Sequence, residues 1–173
     1  MTFHSTTPIL GFAAASGTGK TTLLTKLLPL LNQAGLCVGL IKHSHHDFDI
    51  DHAGKDSFRL REAGATPVVL VSKYRRAIIE EFLNPVEPRL IDQIALFDAT
   101  NVDLILVEGF RNEPFAKIEL HRAALNQPFL CLSDIHIIAV ATDNPLNAPH
   151  TLPHLNLNNP VEIADFILHT FLK

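Results

Sequence analysis

Cysteine is nearly absent, with Cys37 and Cys131 the two thiols in 173 residues. Each sits in apolar sequence, and two such cysteines make no disulfide framework, so they read as buried free thiols of a cytoplasmic protein. An excess of positive charge is lacking too. The 14 Lys+Arg set against 18 Asp+Glu leave a formal charge of −4, which argues against a surface built for many nucleic-acid phosphate contacts. Met1–Pro8 carries no basic residue and the apolar run after it is short, so no signal peptide is read there. No stretch approaches the ~20 apolar residues of a membrane span. Internal repeats, low-complexity tracts and linkers are also missing. What remains is a chain 47% hydrophobic and 18% charged, expected to form one domain over residues 1–173 and to bury roughly 70% of its unfolded surface.

Strands and helices alternate along that domain. "ILGFAAA" (9–15) is a short apolar run ended by Ser16-Gly17, and "TTLLTKLLPLLNQAG" (21–35) has helical apolar spacing closed by Gly35. Pro29 inside the helix is expected to bend it. "LCVGLIKH" (36–43) is a second strand, a helix follows from a capping Asp56 to Ala63, and "TPVVLVS" (66–72) and "RRAIIEEF" (75–82) are further strands. "EPRLIDQIALFDAT" (87–100) reads as a helix with Pro88 near its first turn. "VDLILVEG" (102–109) and "IHIIAVAT" (135–142) are continuous apolar runs, the pattern of parallel strands buried on both faces. A final helix is marked by Asn159 as cap, Pro160 at the first position and Glu162 at the third. The expected fold is a three-layer α/β domain of the P-loop NTPase type with a mostly parallel sheet. "FAKIEL" (115–120) stands apart as an extra strand without a crossover helix, so 109–129 is expected to be a β excursion from the core. Its exposed edge would be covered by pairing in a homodimer.

The stretch "GFAAASGTGKTTLL" (11–24) carries the chemistry. Its register from Ala14 to Thr21 fits G-x-x-x-x-G-K-[ST] except that Ala14 replaces the first glycine. Gly17 and Gly19 let successive backbone N–H groups turn inward around phosphate oxygens, and the positive end of the following helix favours the same anion. Lys20 supplies a point charge at the β- and γ-phosphates, and the Thr21 hydroxyl suits Mg²⁺. The candidate phosphate-binding residues are Ser16, Gly17, Thr18, Gly19, Lys20 and Thr21.

A carboxylate is needed from a neighbouring strand end, and "DLILVEGF" supplies Glu108, to hold Mg²⁺ through water or to orient a water; a strand-terminal surface Glu is the plainer alternative. "KHSHHDFDIDHAGKDS" (42–57), at the sheet edge where ligands of α/β proteins gather, brings His43, His45, His46 and His52 together with Asp47, Asp49 and Asp51. Three readings stay open: a transition-metal site, a loop whose Asp47 or Asp49 approaches Mg²⁺, or a solvated loop. Asp143 in "ATDNP" (141–145) is a candidate acceptor for guanine, or part of a polar turn. The arginines (Arg59, Arg61, Arg75, Arg76, Arg89, Arg111 and Arg122) are scattered. None is assignable as a phosphate-neutralising finger, and no arginine-rich lid of the kind expected in a small-molecule kinase stands out.

"AAASGTGKTTLLTKLLPLL", "GLIKHSHHDFDIDHAGKDSFRLREAGA", "DLILVEGF" with "AKIEL" close behind, and "IAVATDNPLN" together resemble the bacterial MobB family of molybdopterin-guanine dinucleotide biosynthesis adaptors. The resemblance spans Ile9 to Phe171. It implies a dimeric GTP-binding protein with slow hydrolysis. Such a protein assists the guanylyltransferase MobA in attaching GMP to molybdopterin and contacts the molybdenum insertion protein MoeA. It also implies that Gly17, Thr18, Gly19, Lys20, Thr21 and Thr22 bind phosphate, with Asp47 and Glu108 as Mg²⁺ or water partners. The catalytic set expected is then Lys20, Glu108 and Asp47, and the metal set Thr21, Asp47 and Glu108. A small-molecule kinase built on the same loop is the alternative.

Overall fold

The computed structural model describes residues 6–44, 48–97, 101–145, 149 and 151–173. The chain divides into two compact units, Met1–His43 with Arg89–Lys173, and Ser44–Pro88. In the first, β1 (Ile9–Ala14), β2 (Val38–Lys42), β5 (Leu104–Glu108), β6 (Lys117–His121), β7 (Ile137–Thr142) and β8 (His154–Asn156) form one sheet in the order β2-β5-β1-β6-β7-β8. Every adjacent pair in it is parallel.

Along β5, alternate side chains enter two cores. Leu104 and Leu106 face a cluster with Leu10, Phe12, Ile118 and Leu120, covered by α1 (Lys20–Gln33) and α4 (Pro160–Phe166). Ile105 and Val107 face the other side, with Phe110, Phe115 and α3 (Leu90–Ile94). This is the three-layer arrangement that a strand apolar on both faces requires. Leu27 and Leu31 of α1 are fully buried, each worth about 1.5–3 kcal/mol. The helix runs on through Pro29, which is exposed. Asn159 caps α4, its Oδ1 accepting from the Glu162 N–H at 3.5 Å, and Pro160 opens the helix, which passes into a π-helical turn at Ile167–Phe171.

Several expectations are corrected. The strand over 115–120 is no excursion: β6 lies inside the sheet, paired with β1 on one side and β7 on the other. It has no free edge for a dimer to cover. Its alternation of polar and apolar residues misleads because the polar members are buried with partners. Lys117, 1% exposed, donates to Asp134 Oδ2 and to the Glu113 carbonyl, each at 2.8 Å. Glu119, also 1% exposed, accepts the N–H groups of Leu130 and Cys131 at 2.8 and 2.9 Å. Burial alone would raise the Asp134 pKa, but the Lys117 and His136 hydrogen bonds outweigh it and hold the carboxyl below the usual range. β8 was not expected; it is three residues long. The helix expected over 87–100 shortens to α3 followed by a 3₁₀ turn at Ala95–Phe97, with 98–100 outside the described residues. Neither cysteine is fully buried: Cys37 is exposed and Cys131 half-buried. Burial and the neighbouring Glu119 push the Cys131 thiol up to about 11.

The second unit holds α2 (Asp56–Glu62) and an antiparallel hairpin of β3 (Val68–Val71) and β4 (Arg76–Ile79), a separate two-stranded sheet rather than a continuation of the parallel one. Asp56 falls in the first turn of α2, and Lys55 occupies the cap position. None of the described residues of this unit is fully buried. Val71, Tyr74, Phe82 and Leu83 are exposed by 72–90%. Two-stranded sheets are marginal alone because one hairpin buries little apolar area.

Candidate functional site

The glycine loop sits where β1 ends and α1 begins. Gly17 and Gly19 adopt φ of +78° and +102°, the left-handed region that L side chains enter only at a cost. With them the chain doubles back, and Thr18, 2% exposed, donates its hydroxyl to the Ala15 carbonyl at 2.9 Å. Gly19 occupies the cap position of α1 with no side-chain cap, and the first turn of the helix contains no acidic residue. Among the described residues its leading N–H groups therefore have no side-chain cap, and the first turn carries no carboxylate, which leaves an electropositive end suited to an anion. Lys20 Nζ lies back over the loop, donating to the Ala14 and Ala15 carbonyls at 3.3 and 3.4 Å. An ammonium so placed is held by carbonyl dipoles at the mouth of the loop. Ser16, Thr21 and Thr22 are exposed around it.

Glu108 ends β5, the strand next to β1. Its side chain is 14% exposed, and Oε2 lies 3.6 Å from Nζ of Lys42, its register partner on β2. With Lys42 56% exposed the pair is worth little, so the carboxylate keeps its capacity for another cation. Gly109 follows at φ +104°, and a Cβ there would fall 2.5 Å from that of His43. Only glycine lets the two backbones approach this closely. His43 in turn stacks on Phe110, ring centroids 4.5 Å apart. Thr21 and Glu108 offer a hydroxyl and a carboxylate, the hard oxygen donors that Mg²⁺ takes, so the residues present fit that ion.

Asp143, a candidate guanine acceptor or part of a polar turn, accepts within the protein: Oδ1 from the Ala123 N–H at 2.9 Å and Oδ2 from Arg122 Nη1 at 3.1 Å. Arg122 also donates Nε–H to the carbonyl of Thr18 in the loop at 3.2 Å. An arginine is thus braced against the glycine loop from the end of β6, and reading the sequence missed it. The two residues are 104 positions apart, with no motif linking them. Placing "AKIEL" in the sheet beside β1 is the signal that would have brought Arg122 to the loop.

The His/Asp stretch divides. His45, His46 and Asp47 lie outside the described residues. In the second unit Asp49 accepts from Arg61 at 2.9 Å, and Asp51 accepts from the Ser57 hydroxyl and the His52 N–H, each at 3.0 Å. Among the described residues no three His, Cys, Asp or Glu side chains converge as metal ligands. Nor is any helix of the described residues long and apolar enough to cross a membrane.

Known proteins resemble this chain over most of its length. The family model described as "Molybdopterin guanine dinucleotide synthesis protein B" matches residues 9–143. The molybdopterin-guanine dinucleotide biosynthesis adapter protein of Escherichia coli (strain K12) is 47% identical over 167 residues, covering 96% of this chain and 94% of that protein. Its Haemophilus influenzae counterpart is also 47% identical, over 168 residues, covering 95% and 91%. Among solved structures, a crystal structure of molybdopterin-guanine biosynthesis protein B (mobB) superposes with a TM-score of 0.70 at 27% identity, covering 95% of this chain and 98% of that one. Bacillus subtilis MobB superposes at 0.73 with 25% identity, covering 93% and 96%. A family model spanning residues 9–143, two relatives near half identity and the shared parallel-sheet fold agree: this chain belongs to the molybdopterin guanine dinucleotide synthesis protein B (MobB) family.

Proposed function

We propose that this protein is a GTP-binding adaptor of molybdenum cofactor synthesis, holding the nucleotide on its glycine loop while it assists the guanylyltransferase MobA in making molybdopterin guanine dinucleotide. The observation that carries the reading is the start of α1: an uncapped, acid-free helix end behind two left-handed glycines, with the Lys20 ammonium over its mouth. The 47% identity to two proteins named as adapters of this biosynthesis supports the role. Guanine preference, contact with MoeA and a cytoplasmic setting follow the family resemblance. Ser16 to Thr22 bind the phosphate chain. Thr21 and Glu108 would hold Mg²⁺, which when bound would supply charge neutralisation along the phosphate chain. Glu108 serves through water, either as a partner of that ion or by orienting a water near the terminal phosphate, and Lys20 meets the β- and γ-oxygens.

Steady-state phosphate release with GTP and Mg²⁺ alone tests this. The isolated protein is expected to turn over at about 10⁻⁴ to 10⁻² s⁻¹, the range of P-loop GTPases without an external activator. Turnover of several per second or faster would mark a self-sufficient enzyme, and release that needs an added acceptor would mark a kinase.

A homodimer belongs to the same proposal. The hairpin unit, with Val71, Tyr74, Phe82 and Leu83 open to solvent, has the exposed apolar surface that assembly normally covers. Light scattering at micromolar concentration is expected to return twice the chain mass of 19.1 kDa. A strictly monomeric mass would remove the dimer and leave the nucleotide site untouched.

A further inference from the structure

The sheet order separates two flanks of the glycine loop. β5, with Glu108, borders β1 on one side; β6, with Arg122 immediately after it, borders β1 on the other. On the nucleotide reading, Thr21, Lys20 and Glu108 take the metal end of the phosphate chain, which leaves the β6 flank to the nucleoside end. On that flank lies a cleft of about 310 Å³, lined by Gly19, Thr22, Lys26, Leu157, Asn158 and Arg122. Clefts of this volume lie at the lower end of those that enclose small-molecule ligands.

Arg122 is built into this cleft rather than merely near it. Nε is committed to the Thr18 carbonyl and Nη1 to Asp143. Nη2 has no partner among the described residues and lies 3.8 Å from the position a Gly19 Cβ would take. The side chain is 33% exposed. A guanidinium fixed through two nitrogens presents the third in a set direction, at little entropic cost when a ligand arrives. The nearest anionic group of a nucleotide on this flank is the α-phosphate.

We propose that Arg122 is a phosphate ligand of the nucleotide site, donating Nη2–H to the α-phosphate, and that Asp143 is the positioning residue that aims it. The proposal rests on the nucleotide reading of the loop and adds a second cation, on the flank opposite Glu108. It also gives Asp143 a role that does not involve reading the base.

Titration calorimetry with GTP and with GDP tests it, using wild type, R122A, R122K, D143N and R122A/D143N, with Lys20→Ala as the control for the loop itself. Because GTP and GDP share the α-phosphate, R122A is expected to weaken both by a similar factor, about 10- to 100-fold, as loss of a charge-assisted contact would. That factor should shrink from low to high salt, since screening weakens a charge contact and leaves a purely structural brace unchanged. R122K should recover part of the loss. D143N should weaken binding several-fold alone and add nothing on the R122A background, the non-additivity of residues acting as one unit. Unchanged affinity for R122A overturns the proposal, as does a loss confined to GTP, which would put the arginine at the γ-phosphate, or a salt-independent loss that R122K fails to relieve. In each of those cases Lys20→Ala still lowers affinity about 100-fold or more and the nucleotide reading stands. If wild type binds neither nucleotide, that reading fails and this proposal with it.

Discussion

Lys20→Ala is expected to lower GTP affinity about 100-fold or more while moving the melting temperature by no more than about 2 °C. The ammonium rests on the carbonyls of Ala14 and Ala15 at the mouth of the loop, half-buried and outside both apolar cores. Its contacts to an incoming phosphate are charge-assisted, about 1.5–3 kcal/mol each, and two of them account for a factor of 100 at about 1.4 kcal/mol per tenfold. Its removal from the free protein exposes no core and strands no buried charge, so the stability change stays near that of a surface substitution, about 0.5 kcal/mol. Calorimetry and thermal melts on the same samples check both halves. Unchanged affinity would sink the phosphate-loop assignment; lost affinity with a large drop in melting temperature would mean the lysine serves the fold.

Lys117→Ala should act in the opposite way, costing about 3 kcal/mol of stability. Lys117 enters β6 at 1% exposure, its ammonium shared between Asp134 and the Glu113 carbonyl and lying 5.0 Å from the centre of the Phe115 ring. Removing one partner of such a pair costs about 3–5 kcal/mol because the other charge is left uncompensated. Asp134 retains 24% exposure, which places the loss at the lower end. For a chain of this size the melting temperature should fall by about 6–12 °C. The pH dependence separates this from simple loss of packing. The pKa of Asp134 is lowered in the folded protein, so its pairing adds stability above the unfolded value of about 3.9 and loses it as pH falls through the lower folded value. Wild type should therefore shed more stability than the alanine variant as the solution is acidified below about pH 4. Parallel acid limbs would show that the ion pair is not what holds β6 in place.

These two lysines also mark what the sequence made legible. Lys20 was readable because strand, glycine loop and helix are contiguous and each has its own local signal: apolar run, left-handed glycines, helical spacing. The buried strands β5 and β7 were readable for a similar reason, since only strands covered on both faces run apolar without alternation. Lys117 was not readable, because a polar residue at alternate positions signals solvent, and its partner Asp134 arrives from a loop 17 residues on. Misplacing that strand hid Arg122 as well, and with it one wall of the site. β8 escaped because His154, Leu155 and Asn156 carry no strand pattern, and its place is set by pairing with β7. The hairpin strands β3 and β4 were recognised singly. Nothing in their composition shows that they pair with each other rather than with the parallel sheet.

The strand order has a consequence for synthesis of the chain. β1 is bordered by β5 and β6, and β2 by β5, so the first two strands meet no partner within the first hundred residues. A ribosome delivering this protein from its N-terminus therefore exposes a finished glycine loop and a finished α1 with no sheet to rest on. Leu10, Phe12, Leu27 and Leu31 must wait for Leu106, Ile118 and Leu120 to emerge before they can be covered. Pairing over such separations is slow and leaves apolar surface open in the interval. The loop would therefore acquire its fixed geometry late, once residue 122 has left the exit tunnel, and a nascent chain halted before β5 should be a substrate for chaperones rather than for nucleotide.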